Sequence, residues 1–187
     1  MIELKNVTFG YETGKLIFDD LSLSIADGER ICFSAPSGKG KTTLLRLILG
    51  LERPFSGSID KYPADMRISA VFQEDRLLPW KNAVQNAAFF SDEETAASYL
   101  ERLGLGGSLD LMPSELSGGM KRRLALARAL SHPFDLLVLD EAFNGLDKDM
   151  KAEALKTVSS AAEGKTLLMV AHDLSEAEAL GARIVSL

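Results

Sequence analysis

The chain has 187 residues, enough to bury a substantial core, and this length fits one domain. Its 21 Lys and Arg against 27 Asp and Glu give a formal charge of -6, which argues against broad electrostatic attraction to nucleic acid. No run approaches the roughly 18 to 20 apolar residues that span a bilayer, and the N-terminus lacks the pattern of a secretion signal. We therefore expect a cytoplasmic chain that needs another protein to hold it at any membrane.

The first elements are typical of an antiparallel sheet followed by a buried strand and a helix. Apolar and polar residues alternate in part over Ile2 to Phe9 and again over Leu16 to Ile25, which predicts two antiparallel strands. Arg30 to Ser34 is a short apolar run that predicts a strand with Cys32 buried in it. A glycine-rich loop follows, and Thr42 to Leu49 is typical of a buried helix.

The remaining elements predict an α/β fold. Ile68 to Phe72, Leu136 to Leu139 and Leu167 to Ala171 are nearly continuous apolar runs, which fit strands covered on both faces. Helices are expected between them, at Asn82 to Phe90, Glu93 to Leu103, Ser117 to Ser131 and Asp147 to Ala162. This order predicts a mainly parallel sheet, an N-terminal antiparallel β subdomain and an inserted helical subdomain within one domain of residues 1–187. The inserted subdomain is expected at about residues 74–116 plus the start of the helix that follows.

Residues 35–42, Ala-Pro-Ser-Gly-Lys-Gly-Lys-Thr, match a phosphate-binding loop between the buried strand and helix. Gly38 and Gly40 permit a close approach of backbone N–H groups to phosphate oxygens at the helix N-terminus. Lys41 is placed to bind the β- and γ-phosphates, and the Thr42 hydroxyl can ligate Mg²⁺. The pattern predicts a P-loop NTPase core whose further nucleotide-binding residues are Ser37, Lys39 and Thr43.

The loop departs from the usual pattern at Ala35, which takes the place of the first glycine. A β-carbon there would weaken the loop only if the position needs a positive φ angle. An ordinary glycine-rich turn before a helix is the alternative interpretation, and the flanking strand and apolar helix favour the phosphate loop.

A second candidate element is an apolar strand that delivers two carboxylates at its carboxyl end, where ligands bind in α/β sheets. Asp140 can hold Mg²⁺ through its water shell, and Glu141 can polarise the attacking water as the catalytic base. Adjacent acids at a strand end are also common in a solvated turn. The phosphate loop upstream favours the catalytic interpretation.

The segment Leu116-Ser117-Gly118-Gly119-Met120 and the basic helix after it closely resemble the signature of the ABC ATPase family. The resemblance implies binding of ATP with Mg²⁺, ATP hydrolysis, and a sandwich dimer. In that dimer, Ser117, Gly118 and Gly119 would face the γ-phosphate bound by the opposite subunit. Met120 departs from the glutamine common in the family, and the basic residues at 121–123 are expected to form a solvated helix face.

Further matches to this family fill in the site. Gln73 resembles the glutamine that links Mg²⁺ and water to the helical subdomain, and His172 resembles the switch histidine that hydrogen-bonds the γ-phosphate. Asp147 resembles the loop that crosses the dimer interface. Tyr11 resembles the aromatic that stacks on adenine, and Phe9 is the competing choice.

The segment Val71 to Trp80 is similar to importer ATPases, particularly the nitrate, sulfonate and taurine branch. This resemblance implies a homologous or identical second ATPase subunit, a separate membrane permease and, indirectly, a substrate-binding protein. The chain would lie at the inner face of the cell membrane. Leu77, Leu78 and Trp80 could form the permease-docking surface, or they could cap the core of the helical subdomain.

Two alternative functions stay open at this point. One is a soluble ABC ATPase outside transport, against which the single continuous cassette argues. The other is a nucleotide switch with weak hydrolysis, suggested by Ala35, Met120 and the short chain.

Overall fold

The computed structural model describes residues 1–12, 14–36 and 38–187, which alternate strands and helices along the chain. The strands and α-helices within these residues are β1 (Ile2–Phe9), β2 (Phe18–Ile25), β3 (Arg30–Ser34), α1 (Lys41–Leu49), β4 (Ser56–Lys61), β5 (Ile68–Val71), α2 (Ala83–Ala87), α3 (Glu93–Arg102), α4 (Gly118–Ser131), β6 (Leu136–Asp140), α5 (Lys148–Ala161), β7 (Thr166–Val170), α6 (Leu174–Ala179) and β8 (Arg183–Ser186). Short 3₁₀ turns lie at Ala88–Phe90, Gly106–Ser108 and Pro113–Glu115.

The main sheet is parallel and has the strand order β5-β6-β7-β3-β8. Strands β6 and β7 are buried along their whole length, because their nearly continuous apolar sequences are covered on both faces. The carboxyl ends of β3, β6 and β7 meet at one edge of the sheet. That edge therefore receives the phosphate loop, the two carboxylates and the histidine that follow these strands.

The second sheet is antiparallel, with the order β2-β1-β4. Its inward residues, such as Ile2, Leu4 and Val7 of β1, are buried in the same core cluster as Leu44 and Ile48 of α1. This packing fixes the helix that follows the phosphate loop from the side opposite the parallel sheet.

Helices α2, α3 and α4 lie between β5 and β6 and pack against one another. Leu100 of α3 and Leu124 of α4 are fully buried in a core cluster that also includes Leu137 and Leu139 of β6. The helical segment is thus joined to the parallel sheet through α4. This continuity gives α4 contact with both parts of the molecule.

The predicted α/β fold, with a mainly parallel sheet and an N-terminal antiparallel sheet, is confirmed. The second strand begins at Phe18 rather than at Leu16. Strand β4, helix α6 and strand β8 were not predicted. Strand β4 has a single large apolar residue, Ile59, and is held by antiparallel pairing with β1 rather than by a pattern of its own.

The helices of residues 1–12, 14–36 and 38–187 are too short or too polar to cross a lipid bilayer.

Candidate functional site

A cleft of about 790 Å³ opens at the carboxyl edge of the parallel sheet. It lies between the phosphate loop and the residues that follow β1, β5, β6 and β7. Its lining comprises Tyr11, Glu12, Lys15, Leu16, Ile17, Gly38, Lys39, Gly40, Lys41, Thr42, Thr43, Gln73, Glu141 and His172. The structure therefore brings most of the candidate residues to one place, while Ser37 lies outside the described residues.

The glycines of the phosphate loop are required by its backbone. Gly38 and Gly40 have φ angles of 79° and 88°. A β-carbon on Gly40 would stand 2.4 Å from Ile17 Cγ2 and 2.9 Å from Phe18 Cζ. Gly40 is also the N-cap of α1, so the free N–H groups of the first helical turn face the cleft. The loop can therefore surround an anion with backbone donors.

Lys41 lies at the first position of α1, and its ammonium group folds back over the loop. Its Nζ donates hydrogen bonds to Ala35 O at 2.6 Å and to Pro36 O at 3.3 Å. Ala35 is outside the left-handed region, so alanine takes the place of the first glycine without backbone strain. The departure at this position therefore leaves the loop geometry intact.

Thr42 and Asp140 form the pair of oxygen ligands that a magnesium ion would use. The Thr42 hydroxyl donates a hydrogen bond of 3.2 Å to Asp140 Oδ1, which joins α1 to the end of β6. Asp140 is 3% exposed, and this burial raises the pKa of its carboxyl group. In the part of the chain that the structure describes, no three His, Cys, Asp or Glu side chains cluster to hold a metal by themselves. The donor set fits Mg²⁺, which takes few protein oxygens and completes its shell with phosphates and waters.

Glu141 is fixed beside this pair by bonds to both of its side-chain oxygens. Its Oε1 lies 2.8 Å from His172 Nε2, and its Oε2 accepts a hydrogen bond of 2.9 Å from Asn144 Nδ2. The backbone of Glu141 has a φ angle of 53°, an uncommon conformation for a glutamate, and its N–H donates to Val170 O at 2.9 Å. This strained backbone directs the carboxylate into the cleft, and the contacts with His172, Asn144 and Val170 hold the residue in place.

Comparison with known proteins places this geometry in a family. The sequence pattern of the family described as "ABC transporter" matches residues 18–144. The chain belongs to the ABC transporter ATPase family. An aliphatic sulfonates import ATP-binding protein of Pseudomonas savastanoi pv. phaseolicola is 40% identical over 92% of this chain and 74% of the relative. One of Rhodococcus jostii is 40% identical over 91% of this chain and 73% of the relative.

A solved structure agrees with the sequence relatives. The dimeric post-hydrolysis state of an ATP-binding cassette bound to ADP and Pi has a TM-score of 0.90 and 28% identity to this chain. The similarity covers 100% of this chain and 94% of the other. The chain is therefore an ABC ATPase that binds ATP with Mg²⁺ and hydrolyses it.

The two aromatic candidates for the adenine contact occupy different environments in this cassette. Tyr11 is 55% exposed and lines the cleft, whereas Phe9 is buried at 4% exposure. Their rings make an edge contact with centroids 5.2 Å apart, and the Tyr11 hydroxyl lies 3.3 Å from Thr43 Oγ1. Of the two, Tyr11 alone is exposed and lines the cleft, so it is the residue that could stack on adenine.

The signature residues of the ABC family lie apart from the cleft of their own chain. Ser117 and Gly118 are exposed at the start of α4, and the Ser117 hydroxyl caps the helix by accepting from Met120 N at 3.3 Å. A β-carbon on Gly119 would stand 3.4 Å from Gly145 O, so the signature borders the loop that precedes α5.

Asp147 closes that loop as the N-cap of α5, because its Oδ1 accepts a hydrogen bond of 2.9 Å from Met150 N. Its backbone turn therefore lies on the same surface as the signature. This common surface is available to a second cassette.

The expectation of a solvated basic face at residues 121–123 is wrong for Arg122. This arginine is 4% exposed and donates hydrogen bonds to the carbonyl oxygens of Phe72, Gln73, Asp140 and Glu141. It lies four residues before the buried Leu126 on the inner side of α4, a helical spacing that would have indicated burial. Asn144, the partner of Glu141, was also missed as a site residue.

Proposed function

We propose that the chain is the ATP-hydrolysing subunit of an importer for sulfonates, in which two cassettes bind two MgATP molecules between them. The observation that carries the proposal is the meeting of Lys41, Glu141 and His172 at one cleft in an ABC ATPase, with Asp140 bonded to Thr42 of the same cleft. Sulfonates are proposed because the relatives from Pseudomonas and Rhodococcus are named as aliphatic sulfonate import proteins.

The phosphate loop and the start of α1 hold the nucleotide. Lys41 exchanges its bonds to loop carbonyls for the β- and γ-phosphates, while backbone N–H groups from Gly38 to Thr43, with the side chains of Lys39 and Thr43, surround the phosphate oxygens. Thr42, Asp140 and Gln73 would hold Mg²⁺. The ion would supply charge that offsets the negative charge developing on the phosphates. Ser37 belongs to the same proposed set.

Glu141 is the proposed general base. Its carboxylate would orient a water molecule for in-line attack on the γ-phosphate and accept a proton of that water as the new O–P bond forms. The bond from the γ-phosphorus to the β–γ bridging oxygen breaks in the same step, so ADP leaves with the bonding electrons and inorganic phosphate is the other product. Asn144 holds one carboxylate oxygen of Glu141 by a hydrogen bond, and His172 contacts the other oxygen until its imidazole turns to hydrogen-bond the γ-phosphate. These two contacts restrict the freedom of the Glu141 side chain and so lower the cost of orienting it.

The second cassette completes each site. Ser117, Gly118 and Gly119 of one copy would present the positive end of α4 to the γ-phosphate held by the other copy. The backbone turn before Asp147 would cross the same interface, with the Asp147 side chain retained as the cap of α5. Met120, where the family commonly has glutamine, is partly buried and packs against the core.

The permease would dock beside the helical segment, whose proposed subdomain limits are about residues 74–116 plus the start of α4. Leu77 packs against the core, as the capping alternative requires, whereas Trp80 is 70% exposed. A groove of about 460 Å³ beside β5 is lined by Leu78 and by two phenylalanines, Phe89 and Phe90, that are 48% and 65% exposed. This apolar surface supports docking of a short apolar segment of the permease at the inner face of the membrane. A substrate-binding protein would act on the permease from the opposite side.

Uptake in a cell that lacks the chain tests the proposal. Deleting the coding region should abolish uptake of radiolabelled ethanesulfonate, and the wild-type chain should restore it. The Trp80→Asp variant should retain ATPase activity yet restore little uptake, whereas Leu51→Asp, at a residue 55% exposed elsewhere, should restore it fully. Undiminished ethanesulfonate uptake in the deletion strain would reject the assigned substrate class.

A further inference from the structure

Arg122 is a buried cation at the junction of three elements. Its side chain extends from α4 and is 5% exposed. One terminal nitrogen donates to Phe72 O at 2.6 Å, to Gln73 O at 3.3 Å and to Asp75 Oδ1 at 3.0 Å. The other terminal nitrogen donates to Glu141 O at 2.6 Å and to Asp140 O at 3.3 Å. A single guanidinium therefore joins the segment after β5 to the catalytic end of β6.

The chemistry of this junction requires arginine. Burying a charge is costly unless its donors are satisfied, and Arg122 meets that condition with four backbone carbonyls and one carboxylate. The planar fork of the guanidinium directs its two terminal nitrogens to two sets of acceptors at once. The compact ammonium of a lysine has no such fork and would serve one set at the expense of the other.

The acceptors of Arg122 include the backbone carbonyls of Glu141, the proposed base, and of Gln73, a proposed Mg²⁺-holding residue. Glu141 has a left-handed φ angle of 53°, and its peptide groups are held by the bond from Arg122 to its carbonyl and by its own bond to Val170. Such a conformation persists only where its surroundings fix it. Arg122 supplies one of the bonds that do so, beside the bond of 3.2 Å from the Asn144 N–H to the same carbonyl, and it holds the Gln73 carbonyl with the same guanidinium.

A second arginine of α4 provides an internal comparison. Arg128 donates to Asp75 O and Arg76 O, both at 2.8 Å, so it holds the same segment as Arg122. Among the residues that the structure describes, Arg128 bonds to that segment and not to Asp140 or Glu141. The two arginines therefore differ in whether they bond to the backbone of Asp140 and Glu141.

We infer that Arg122 is a positioning residue for ATP hydrolysis, which sets the placement of Glu141 relative to Gln73 through their backbone carbonyls. The inference rests on the proposed role of Glu141 as general base. Loss of the guanidinium would leave nucleotide binding at Lys41 and Tyr11 unchanged, since neither residue contacts Arg122. It would allow the Glu141 carboxylate to move away from its catalytic position. A displacement near 1 Å lowers the rate by about a hundredfold where catalysis depends on orientation.

The test compares steady-state MgATP hydrolysis by Arg122→Met, Arg122→Lys and Arg128→Met with wild type, below the unfolding temperature of each protein. Arg122→Met should lower kcat by at least about tenfold with KM within about threefold. Arg122→Lys, which keeps the buried charge and guards against loss of folding, should also lower kcat at unchanged KM. Arg128→Met should keep kcat within about threefold.

Equal kcat values for Arg122→Met and Arg128→Met would overturn the positioning role, as would wild-type kcat in Arg122→Lys. A Glu141→Gln protein measured in the same series separates the two proposals. If that protein retains wild-type turnover, the role of Glu141 is rejected; if it is inactive while the Arg122 variants are normal, only the inference about Arg122 fails.

Discussion

Glu141→Gln should separate ATP binding from ATP hydrolysis. Glutamine has the shape of glutamate, and the left-handed backbone at φ 53° costs both residues the same conformational free energy. This strain therefore does not contribute to the difference in stability between the two proteins. Its amide oxygen can still accept from Asn144 Nδ2, while its amide nitrogen takes the place of the oxygen beside His172. The change therefore costs at most about one hydrogen bond, on the order of 1 kcal/mol.

The catalytic loss should be much larger than this structural cost. An amide accepts no proton at neutral pH, and a positioned general base contributes about 10²- to 10⁴-fold. The barrier should therefore rise by about 3 to 5 kcal/mol, while Lys41 and the backbone donors of the loop stay in place. Turnover should fall at least about a hundredfold with little change in the affinity for MgATP.

Phosphate release at saturating MgATP, together with binding of a fluorescent ATP analogue, measures the two effects separately. Glu141→Asp is the matched control, because it keeps the carboxylate but draws it back from His172 and Asn144. It should keep more activity than Glu141→Gln. Turnover of Glu141→Gln within about threefold of wild type would refute the assignment of Glu141 as the base.

Two further substitutions test the loop and the magnesium ligand. Gly40→Ala should lower the free energy of unfolding by about 2 to 4 kcal/mol, because its β-carbon would stand 2.4 Å from Ile17 Cγ2 at a φ angle of 88°. In thermal melts Gly164→Ala, at φ 67° in open space, should lose less. Asp140→Asn should abolish MgATPase activity yet raise the Tm of the nucleotide-free protein. Burial raises the pKa of the Asp140 carboxyl group, so its charged form destabilises the folded protein. The gain in Tm should therefore be full at pH values above the pKa of Asp140 in the folded protein and should vanish below the ordinary pKa of aspartate. An unchanged or lower Tm at pH 7 would contradict this reasoning.

The strands and motifs of the parallel core could be predicted because their signals are local. Each buried strand is a short apolar run, and each is followed by the polar residues that a ligand site needs at the carboxyl edge. The phosphate loop, Asp140, Glu141 and His172 therefore meet as the sequence indicates. Gln73 likewise follows a buried apolar run, and the resemblance to ABC ATPases added its proposed role.

The features that escaped prediction depend on contacts between distant segments. Strand β4 has little apolar pattern and exists through its pairing with β1. Arg122 was expected in solvent because charged residues usually lie there, and its acceptors lie 18 to 50 residues away in the chain. The choice between Phe9 and Tyr11 likewise depends on which ring tertiary packing leaves exposed.

Single-turnover MgATP hydrolysis by a mixture of two inactive variants tests most directly whether two copies share each site. Lys41→Ala removes the phosphate-binding cation. Gly118→Asp places a negative charge at the start of α4, where a β-carbon meets nothing within 4 Å and helix formation is favoured. In an equal mixture, half of the dimers pair the two variants, and each of these has one site with both Lys41 and Gly118 intact. Because half of the dimers each have one intact site of two, the mixture should recover about a quarter of wild-type activity. A mixture no more active than the separate variants would contradict a site built from two copies.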